Sequence, residues 1–377
     1  MKKETWEWKE RIKRVAIRAV RGMIRVTYVL PVRDRRVFIY SYGGAQYACN
    51  PRAVSEYLVR EHPGEYEVIW AFQDPERFAF LREQGIQLVQ YRSLQRLICQ
   101  VTAKYCINNS GGFSWNPRRK GQYHINTWHA GGAYKRLQHD AGADTNRRLT
   151  ARETSHMISS CALFTKYNIR EQFGFQGTVL EIGMPRNDVF FAPERMAERN
   201  REVRRSCGIP EDSLIVLFAP TWRYDGQIPE PDYDVLSKSV REKWGRDAVI
   251  LVRNHSLSRK NYAGMKDVTD YGDMQDLLCA ADLLITDYSS AIWDYSLTGR
   301  PCFLFVPDLE KYTEEQGFYT DIRGWGFPLC RDDRELREAI LSFDSTAHRA
   351  RMEKHQQDFG SFERGDAARR FCEAVFS

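Results

Sequence analysis

The stretch Leu284-Ile-Thr-Asp-Tyr-Ser-Ser-Ala-Ile-Trp-Asp294 decides how the fold of this chain is interpreted. Its apolar residues predict a buried strand over 282–286, followed by a turn at 287–290 and an amphipathic helix that ends near Leu297. In an open α/β sheet, ligands bind beyond the carboxyl ends of the strands. Hydroxyl groups and the first backbone N–H groups of a helix favour phosphate. The turn is therefore a candidate cradle for a nucleotide diphosphate. The alternative is an ordinary helix N-cap, a position that also prefers Asp and Ser.

Length and composition limit the class of protein. The 377 residues, of which 42% are hydrophobic, are enough for two domains of ordinary size with packed cores. The chain has no apolar run of membrane-spanning length and no apolar segment after the N-terminal lysines, so we expect neither a spanning helix nor a secretory signal. The nine cysteines are odd in number and form no Cys-x-x-Cys pair, which favours a reducing cytosol over a disulfide framework or a zinc site.

The positive charge of the chain is concentrated at its N terminus. Residues 1–36 contain twelve Lys and Arg and four Asp and Glu, a net charge of +8. Because the whole chain carries +6, the remaining 341 residues sum to −2 and form a nearly neutral body. This distribution argues against a broad nucleic-acid-binding face, and we expect no nucleic-acid partner.

The basic segment also has helical periodicity. Apolar and basic residues recur on opposite faces, the first as Ile12, Ala16, Ala19, Met23 and Val26, and the second as Arg11, Arg14, Arg18, Arg21 and Arg25. Trp6 and Trp8 precede them. A basic amphipathic helix with aromatic residues is typical of an element that lies on an anionic membrane surface. The alternative is a helix that docks on its own protein body and leaves its arginines in solvent.

Strands alternate with helices in both halves of the remaining chain, which predicts βαβ units and parallel sheets. The first half predicts strands over 36–41, 67–72, 86–89 and 104–108 and helices over 51–61, 75–84 and 92–102. The second half predicts strands over 214–218, 248–253, 283–286 and 301–305 and helices over 232–243, 274–281 and 289–297. We therefore expect an α/β fold with a basic helix over 1–36 and two Rossmann-like domains over 37–190 and 191–377, the second ending in a helical tail.

One motif in the first half combines a histidine with glycines and basic residues. In Ile125-Asn-Thr-Trp-His-Ala-Gly-Gly-Ala-Tyr-Lys-Arg136, a strand-like run ends at Trp128 and His129 lies at the turn. Histidine titrates near neutral pH and can take the proton of a hydroxyl group. The glycines allow a substrate to approach the backbone, and Lys135 and Arg136 suit an anionic acceptor. The alternative is a histidine that only completes its loop.

Three segments of the second half carry polar side chains just at or after the end of a predicted strand. The first contains Thr221 and Arg223, the second Arg253 and His255, and the third Asp287, Ser289 and Ser290. Because the carboxyl ends of parallel strands meet at one edge of a sheet, we expect these side chains to converge there. Arginine, histidine and hydroxyl groups suit a nucleotide diphosphate. The alternative for the two arginines is ion pairing at the surface.

Together these motifs resemble the bacterial CDP-glycerol glycerophosphotransferases of teichoic-acid type, which include ribitol-phosphate polymerases. The resemblance covers nearly all of 37–330. It is carried by Asn50–Ala53, Thr127–Lys135, Gly183–Asp188, Ala219–Arg223, Arg253–His255, Thr286–Ser290 with Asp294, Asp308–Tyr312 and Gly317–Asp321. Two departures occur. The segment Ala130–Tyr134 is one residue longer than the common motif and lacks its Thr and Pro, and Ser256 replaces a proline after His255. The first departure affects the expected identity of the acceptor more than that of the donor.

The resemblance implies a GT-B fold, with two Rossmann-like domains facing a cleft, the first for the acceptor and the second for the nucleotide donor. It implies transfer of glycerol phosphate, or a related alditol phosphate, from a CDP-linked donor to a hydroxyl of a cell-surface glycan or lipid-linked acceptor, with release of CMP. The expected location is the cytoplasmic face of the bacterial membrane.

The resemblance also assigns roles to residues. His129 is expected to act as the base, while His255 and Arg253 stabilise the diphosphate. Thr221, Arg223, Asp287, Ser289 and Ser290 are expected to bind the donor, and Lys135 and Arg136 the acceptor. No metal and no cofactor other than the CDP-glycerol substrate is expected, because no carboxylate cluster predicts a metal site.

Two other readings remain open at this point. One is a GT-B glycosyltransferase that uses a nucleotide sugar, and the other is a membrane-bound scaffold with an inactive nucleotide fold. The choice of glycerol or ribitol, the order of action as primase, polymerase or decorating transferase, and a homo-oligomeric state are left open as well.

Overall fold

The structure is a computed structural model in which two compact units, one sheet in each, account for most of the chain. It describes residues 2–111, 113, 115–136, 144–223, 226–254 and 265–376, with backbone but not side chains for 2–7, 9–11, 13–14 and 144–147. The first unit consists of 1–129, 138–186 and 362–377, and the second consists of 130–137 and 187–361.

A parallel sheet of seven strands forms the first unit. Its strands are β1 (Arg33–Ile39), β2 (Glu67–Phe72), β3 (Gln87–Gln90), β4 (Ala103–Asn108), β5 (Tyr123–Asn126), β6 (His156–Ser159) and β7 (Thr178–Glu181). Their order in space is β3-β2-β1-β4-β5-β6-β7. The aromatic and β-branched residues of β1, β2 and β4 are buried, as expected for parallel strands whose two faces are both covered.

A second parallel sheet, of six strands, forms the second unit. Its strands are β8 (Leu214–Phe218), β9 (Ala248–Val252), β10 (Lys266–Asp267), β11 (Leu283–Thr286), β12 (Cys302–Phe305) and β13 (Leu329–Cys330). Their order is β10-β9-β8-β11-β12-β13. Every residue of β8, β11 and β12 is buried, and this apolar centre is the core on which the neighbouring helices pack.

Helices connect successive strands in both units. They are α1 (Lys2–Val26), α2 (Cys49–Glu61), α3 (Leu94–Thr102), α4 (Asp144–Glu153), α5 (Pro193–Cys207), α6 (Tyr233–Trp244), α7 (Met274–Ala280), α8 (Ala291–Ser296), α9 (Leu309–Glu315), α10 (Asp333–Leu341), α11 (Ser345–Phe359) and α12 (Ala367–Val375). Short 3-10 helices lie at Thr27–Val29, Tyr42–Gly44, Glu76–Gln84, Pro185–Phe191 and Ile322–Gly324, and a π-helical segment spans Phe164–Gln172.

Most elements predicted from the sequence occur within a few residues of their predicted bounds, and the α/β fold class is confirmed. The predicted helix over 75–84 is instead a 3-10 helix with a kink at Phe78. Strands β6 and β7 and helix α5 were not predicted. Each of the two strands has only four residues, too few for a clear periodic pattern.

The chain passes between the units four times. It enters the second unit after His129, and the last residues return to the first unit. This return differs from the predicted range of 191–377 for one domain. The Phe362 N–H donates to the Ser160 carbonyl (2.8 Å) and the Glu363 carboxylate accepts from the Met184 N–H (3.1 Å), so the tail is held by hydrogen bonds within the first unit.

Helix α1 is docked on the first unit by one narrow face. Ile17 and Ile24 are buried, and Arg21 between them forms a buried ion pair with Glu153 (2.5 Å). Arg21 is therefore not part of a solvent-facing basic surface, which corrects the sequence analysis at this residue. The apolar residues predicted to face a membrane are exposed to solvent and do not dock on the protein body, namely Ile12, Ala16, Ala19, Met23 and Val26.

The ion pair yields a prediction about stability. Arg21→Met removes a guanidinium from the buried Glu153 carboxylate, and the free energy of unfolding is expected to fall by about 3 kcal/mol at pH 7, measured by urea denaturation. Burial raises the pKa of Glu153, but hydrogen bonds from the Arg118 N–H and from Arg21 and Arg152 lower it further, so the net pKa is below its ordinary value. The stabilisation is thus complete above the unfolded-state pKa of about 4.3.

That contribution should be lost as the pH falls through the folded-state pKa, and the difference between variant and wild type should shrink with it. Arg18→Met is the matched control, because Arg18 lies on the same helix and is exposed. An equal loss of stability in both variants would contradict a role for the ion pair.

Candidate functional site

Each sheet has one point at which its strand order reverses. In the first unit the reversal lies between β1 and β4, and in the second it lies between β8 and β11. The loops that follow the two strands at such a point run in opposite directions and leave a crevice, which is where ligands bind in open α/β sheets. The candidate residues were therefore located relative to these two points.

His129 lies at the reversal point of the first sheet. Its Nδ1 is 2.8 Å from the carbonyl oxygen of Asn109, just after β4, and its ring lies 5.7 Å from that of Tyr42, which follows β1. Because a carbonyl only accepts hydrogen bonds, Nδ1 carries the proton and the lone pair is on Nε2. The side chain is exposed. This tautomer is the one that an imidazole base toward a hydroxyl requires.

The loop that carries His129 is held in a strained backbone conformation. Three residues other than glycine have positive φ among the described residues, and all three belong to this region: Tyr42 (45°), Cys49 (64°) and Trp128 (49°). Such conformations are costly and cluster at functional sites. Asn50 helps to hold the loop, because its Nδ2 donates to the carbonyls of Thr127 (3.0 Å) and Trp128 (3.2 Å).

The supporting residues were not all predicted. Asn50 lies in a segment that the sequence analysis quoted for its family resemblance, but Tyr42 and Asn109 were missed. Tyr42 precedes two glycines and Asn109 follows a predicted strand, so their positions at strand ends were the available signal.

In the second unit, Asp287 organises the loops at the reversal point. Its carboxylate accepts from the backbone N–H of Thr221 (2.8 Å), at the end of the neighbouring β8, and from the N–H of Tyr288 (2.5 Å). The Thr286 hydroxyl donates to the Ala219 carbonyl (2.6 Å). The prediction that these strand ends share one edge is confirmed.

Arg223 is buried between two carboxylates. Its guanidinium contacts Asp287 (2.9 Å) and Asp308 (2.8 Å), donates to the Thr221 carbonyl, and lies within 5 Å of the ring centres of Tyr288 and Tyr312. Only 7% of the residue is exposed. Although burial opposes the charge, the two carboxylates raise the pKa of Arg223.

This arrangement changes the interpretation of Arg223 and Asp287. Both residues were expected to bind the donor, with surface ion pairing as the alternative for the arginine. The structure shows an ion pair that is buried, and both charges have partners within the protein. We therefore interpret Arg223 and Asp287 as positioning residues for the loops after β8 and β11, and their direct contact with a donor stays a prediction.

Ser289 and Ser290 lie at the start of α8 and are partly exposed. Ser289 Oγ accepts from the Ala291 N–H at 3.3 Å, whereas Ser290 makes no side-chain capping bond within the described chain. The ordinary N-cap therefore does not account for Ser290. Thr221 Oγ1, beside them in the neighbouring loop, is buried and has no hydrogen-bond partner among the described residues. A buried polar atom without a partner at this point suits a ligand contact.

The remaining donor candidates lie on the loop after β9. The Arg253 backbone N–H donates to the Phe218 carbonyl (2.8 Å), so this loop joins the same edge of the sheet as β8. His255 lies outside the described residues, and its predicted role stays a prediction.

Lys135 and Arg136 lie in the second unit. The predicted domain bounds placed both in the first domain, whereas the structure groups them with the second unit. Their predicted contact with the acceptor stays a prediction. Lys135 forms an antiparallel bridge with Phe318, and the Arg136 N–H donates to the Gly317 carbonyl (3.0 Å). Burial lowers the pKa of Lys135, an effect that Asp287 opposes and Arg223 reinforces. Lys135 is thus electrostatically coupled to the Asp287–Arg223 pair rather than to the residues around His129.

The two glycines after His129 explain why the chain enters the second unit here. A Cβ atom at Gly131 would lie 2.3 Å from Trp293 Cδ1, and one at Gly132 would lie 2.4 Å from the ring of Tyr134, at a φ of +66°. The glycines therefore allow close packing on Trp293 and Tyr134, and the approach of a substrate to them stays a prediction.

A buried polar cluster supports α8 from below. Asp294 accepts from Asn187 Nδ2 (2.9 Å) and from Gln275 Nε2 (2.8 Å). The cluster ties Asn187, in one quoted motif, to Asp294, which follows the Thr286–Ser290 motif. Both residues belong to motifs that carry the family resemblance, but their contact was not predicted from the sequence.

Two further properties concern the described ranges as a whole. No group of three or more His, Cys, Asp or Glu side chains there is placed to hold a metal ion. Within the same ranges, every helix lacks either the length or the apolar character that crossing a bilayer requires.

With two parallel sheets and two reversal-point sites in place, the chain was compared with known proteins. The family model described as "CDP-Glycerol:Poly(glycerophosphate) glycerophosphotransferase" matches residues 22–377. The chain belongs to this glycerophosphotransferase family. The resemblance inferred from the motifs is confirmed, and so is the enzyme class.

Named members of the glycerophosphotransferase family are similar over most of the chain. The teichoic acid poly(glycerol phosphate) polymerase of Bacillus subtilis is 33% identical over 84% of this chain, which spans 45% of that relative's length. The polymerase of the same name from Bacillus spizizenii is 29% identical over 94% of this chain and 95% of its own length. The teichoic acid glycerol-phosphate transferase of Staphylococcus aureus is 28% identical over 98% of this chain and 99% of its own.

Solved structures support the fold of this family member. A variant of the wall teichoic acid polymerase TagF matches with a TM-score of 0.80 at 23% identity, over 100% of this chain and 97% of that one. Another TagF structure, soaked with CDPG, matches with a TM-score of 0.81 at 24% identity, over 98% and 96%. The predicted GT-B fold class is thereby confirmed.

Proposed function

We propose that the protein transfers glycerol phosphate, or a related alditol phosphate, from a CDP-linked donor to a hydroxyl group of a cell-surface glycan or lipid-linked acceptor. Family membership supports the reaction class. The observation that carries the proposal is the hydrogen bond from His129 Nδ1 to the Asn109 carbonyl, since it leaves the basic lone pair on Nε2 of an exposed imidazole.

In the proposed reaction, Nε2 of His129 takes the proton of the acceptor hydroxyl. The hydroxyl oxygen forms a bond to the phosphorus of the glycerol phosphate, and the bond from that phosphorus to the bridging oxygen of the diphosphate breaks. CMP leaves with the electron pair of the broken bond. The acceptor gains one phosphodiester, so atoms and charge balance without a further reactant.

The groups proposed to bind the donor diphosphate belong to the second unit. They are the hydroxyls of Ser289, Ser290 and Thr221, together with Arg253, His255 and Lys135. The buried Thr221 hydroxyl and the uncommitted cap position of Ser290 support this assignment. The proposal does not require a metal ion, so dialysis against EDTA is expected to leave CMP release unchanged.

The nucleotide-sugar alternative is set aside. The description of the matching family names CDP-glycerol, which supports a CDP-linked donor over a nucleotide sugar. A shared fold by itself does not imply a substrate.

We further propose that the protein acts at the cytoplasmic face of the membrane, attached through α1. The helix is held to the first unit by Ile17, Arg21 and Ile24 and exposes apolar side chains elsewhere, with Met23 at 64% and Val26 at 73% exposure. A docked helix that still exposes apolar and basic residues can lie flat on an anionic bilayer. Docking of α1 on the protein body and contact of α1 with a membrane are therefore compatible.

The role of His129 yields the first functional prediction. His129→Ala is expected to reduce turnover by about 10²–10⁴-fold, the range for loss of a general base, in an assay of CMP release from CDP-glycerol with an acceptor. Donor affinity should change little, because the proposed donor groups are in the second unit. His62→Ala serves as control, since His62 is a partly exposed histidine of the same unit whose ring contacts Glu65, Tyr57 and Tyr66. Normal turnover in His129→Ala would show that His129 has no catalytic role and would make His255 the candidate base.

The donor site yields a second prediction. Ser289→Ala combined with Ser290→Ala should weaken CDP-glycerol binding by about 1–3 kcal/mol, the scale of hydrogen bonds to charged groups, measured by calorimetry. Ser342→Ala is the control, because its hydroxyl is exposed and bonds to the carbonyl of Glu338 at the end of α10. Unchanged affinity in the double variant would mean that the turn is merely the start of a helix.

Membrane attachment yields a third prediction. Met23→Glu combined with Val26→Glu should abolish sedimentation with vesicles that contain phosphatidylglycerol, because carboxylates replace apolar groups at the proposed bilayer contact. Folding should survive, since both side chains are exposed. Phe80→Glu with Leu94→Glu, equally exposed on the same unit, is the control. Equal sedimentation of all three proteins would refute attachment through α1.

A further inference from the structure

Two aromatic rings pack against the imidazole of His129. The Trp128 ring stacks on it, with ring centres 4.4 Å apart and an angle of 29° between the planes. The Tyr42 ring lies 5.7 Å from it at an angle of 57°. The two rings come from different loops, since Tyr42 follows β1 and Trp128 follows β5. The reaction proposed above uses the imidazole but assigns no role to either ring.

Both aromatic residues have an unfavourable backbone conformation. The φ angle is 45° at Tyr42 and 49° at Trp128, in the left-handed region that bulky side chains rarely adopt and that glycine adopts without strain. Deep burial of the rings does not compensate for this strain, because Tyr42 is 36% exposed and Trp128 is partly exposed. Strained residues cluster at functional sites. Their position beside the proposed base therefore indicates a role in function rather than in packing alone.

Hydrogen bonds from buried asparagines hold the two strained backbones in place. The Tyr42 N–H donates to Asn109 Oδ1 (2.9 Å). The Trp128 N–H donates to Asn126 Oδ1 (2.9 Å), and the Trp128 carbonyl accepts from Asn50 Nδ2 (3.2 Å). All three asparagines are buried. The rings are thus positioned through their backbones, so they can contact the imidazole and still remain partly open to solvent.

Asn109 fixes the Tyr42 ring relative to the imidazole. Its backbone carbonyl accepts from His129 Nδ1, and its side-chain oxygen accepts from the Tyr42 N–H. It can reach both loops because it follows β4, which lies between β1 and β5 in the sheet. One buried residue therefore sets both the direction of the imidazole and the position of a ring beside it.

The charge of the imidazole changes during the proposed reaction. Nδ1 already carries a proton, so when Nε2 takes the proton of the acceptor hydroxyl the ring becomes a cation. A cation within about 6 Å of an aromatic ring centre is attracted by the negative face of that ring, and most strongly by tryptophan. Both rings lie within this distance of His129. Because a neutral imidazole gains less from such contacts, the rings favour the state that forms as the reaction proceeds.

We propose that Tyr42 and Trp128 form an aromatic pair that stabilises the imidazolium form of His129 during phosphoryl transfer. The inference rests on the proposed function, since it requires His129 to be the base. No further bond is made or broken, because the proton is the one that the acceptor hydroxyl loses. Trp128 has the larger effect, because its ring is closer and stacked, whereas that of Tyr42 is tilted.

Substitutions that remove or keep a ring test the aromatic pair. Tyr42→Leu and Trp128→Leu should each lower turnover in the CMP-release assay by about two- to thirtyfold, the factor that corresponds to one cation–π contact, with the larger loss for Trp128. Tyr42→Phe keeps a ring and should retain nearly full turnover, and Trp128→Phe should lie between wild type and Trp128→Leu. Tyr57→Leu is the matched control, because Tyr57 is a partly exposed tyrosine of the same unit whose ring contacts another histidine, His62.

The pH profile of kcat/KM provides a readout that a purely structural role would not change. Its acid limb reports the base of the free enzyme. Without a ring the protonated imidazole is less stable, so this limb should move to lower pH in both leucine variants. A ring that only holds the loop would lower turnover without moving the limb, and an unmoved limb in both variants would overturn the proposal. An equal loss in Tyr42→Phe and Tyr42→Leu would assign the effect to the hydroxyl and overturn the role of that ring.

A measurement without turnover separates this proposal from the proposed function. Protonation of His129 can be followed by NMR of histidine-labelled protein, with His129→Ala identifying its signal. If Tyr42→Leu takes up this proton at lower pH than the wild type but the wild type releases no CMP from CDP-glycerol, the aromatic pair stands and the proposed function fails. If the two proteins titrate alike while CMP release is normal, the function stands and the aromatic pair is refuted. The Tyr42 variants decide the question even if Trp128→Leu does not fold.

Discussion

The reversal of strand order in each parallel sheet is the constraint on which the rest of the structure depends. Parallel strands must be joined by crossovers, and where the crossovers change direction two neighbouring loops separate at the carboxyl edge. In the first unit these loops contain Tyr42 and Asn109, which contact His129. In the second they contain Thr221 and Asp287, which are joined by a hydrogen bond. Both candidate sites therefore follow from topology before any side chain is considered.

Buried charge then fixes the loops of the second unit. Asp287, Asp308 and Arg223 are costly to bury singly, but together they compensate one another and engage backbone groups on both sides of the reversal point. Removing one member would leave an uncompensated charge, so the loops after β8 and β11 are coupled to α9 through these residues. Hydroxyls that are not consumed in this network, at Ser290 and Thr221, remain for a ligand.

The first unit uses backbone strain and aromatic stacking instead. Positive φ at Tyr42, Cys49 and Trp128 aims the loop of His129, and Asn50 fixes the carbonyls beside it. The ring of Trp128 packs on the rings of both His129 and Phe173, which stabilises the position of this loop.

The sequence by itself determined the two α/β units, the position of most strands and the identity of the family. These depend on local apolar periodicity and on short motifs, such as Thr286–Ser290, that need no partner to be recognised. Tertiary structure alone decided that Lys135 belongs with the second unit, that Arg223 is buried by two carboxylates, and that Nδ1 of His129 donates to the Asn109 carbonyl. Each of these depends on contacts between residues that are distant in sequence. Local sequence patterns do not predict such contacts.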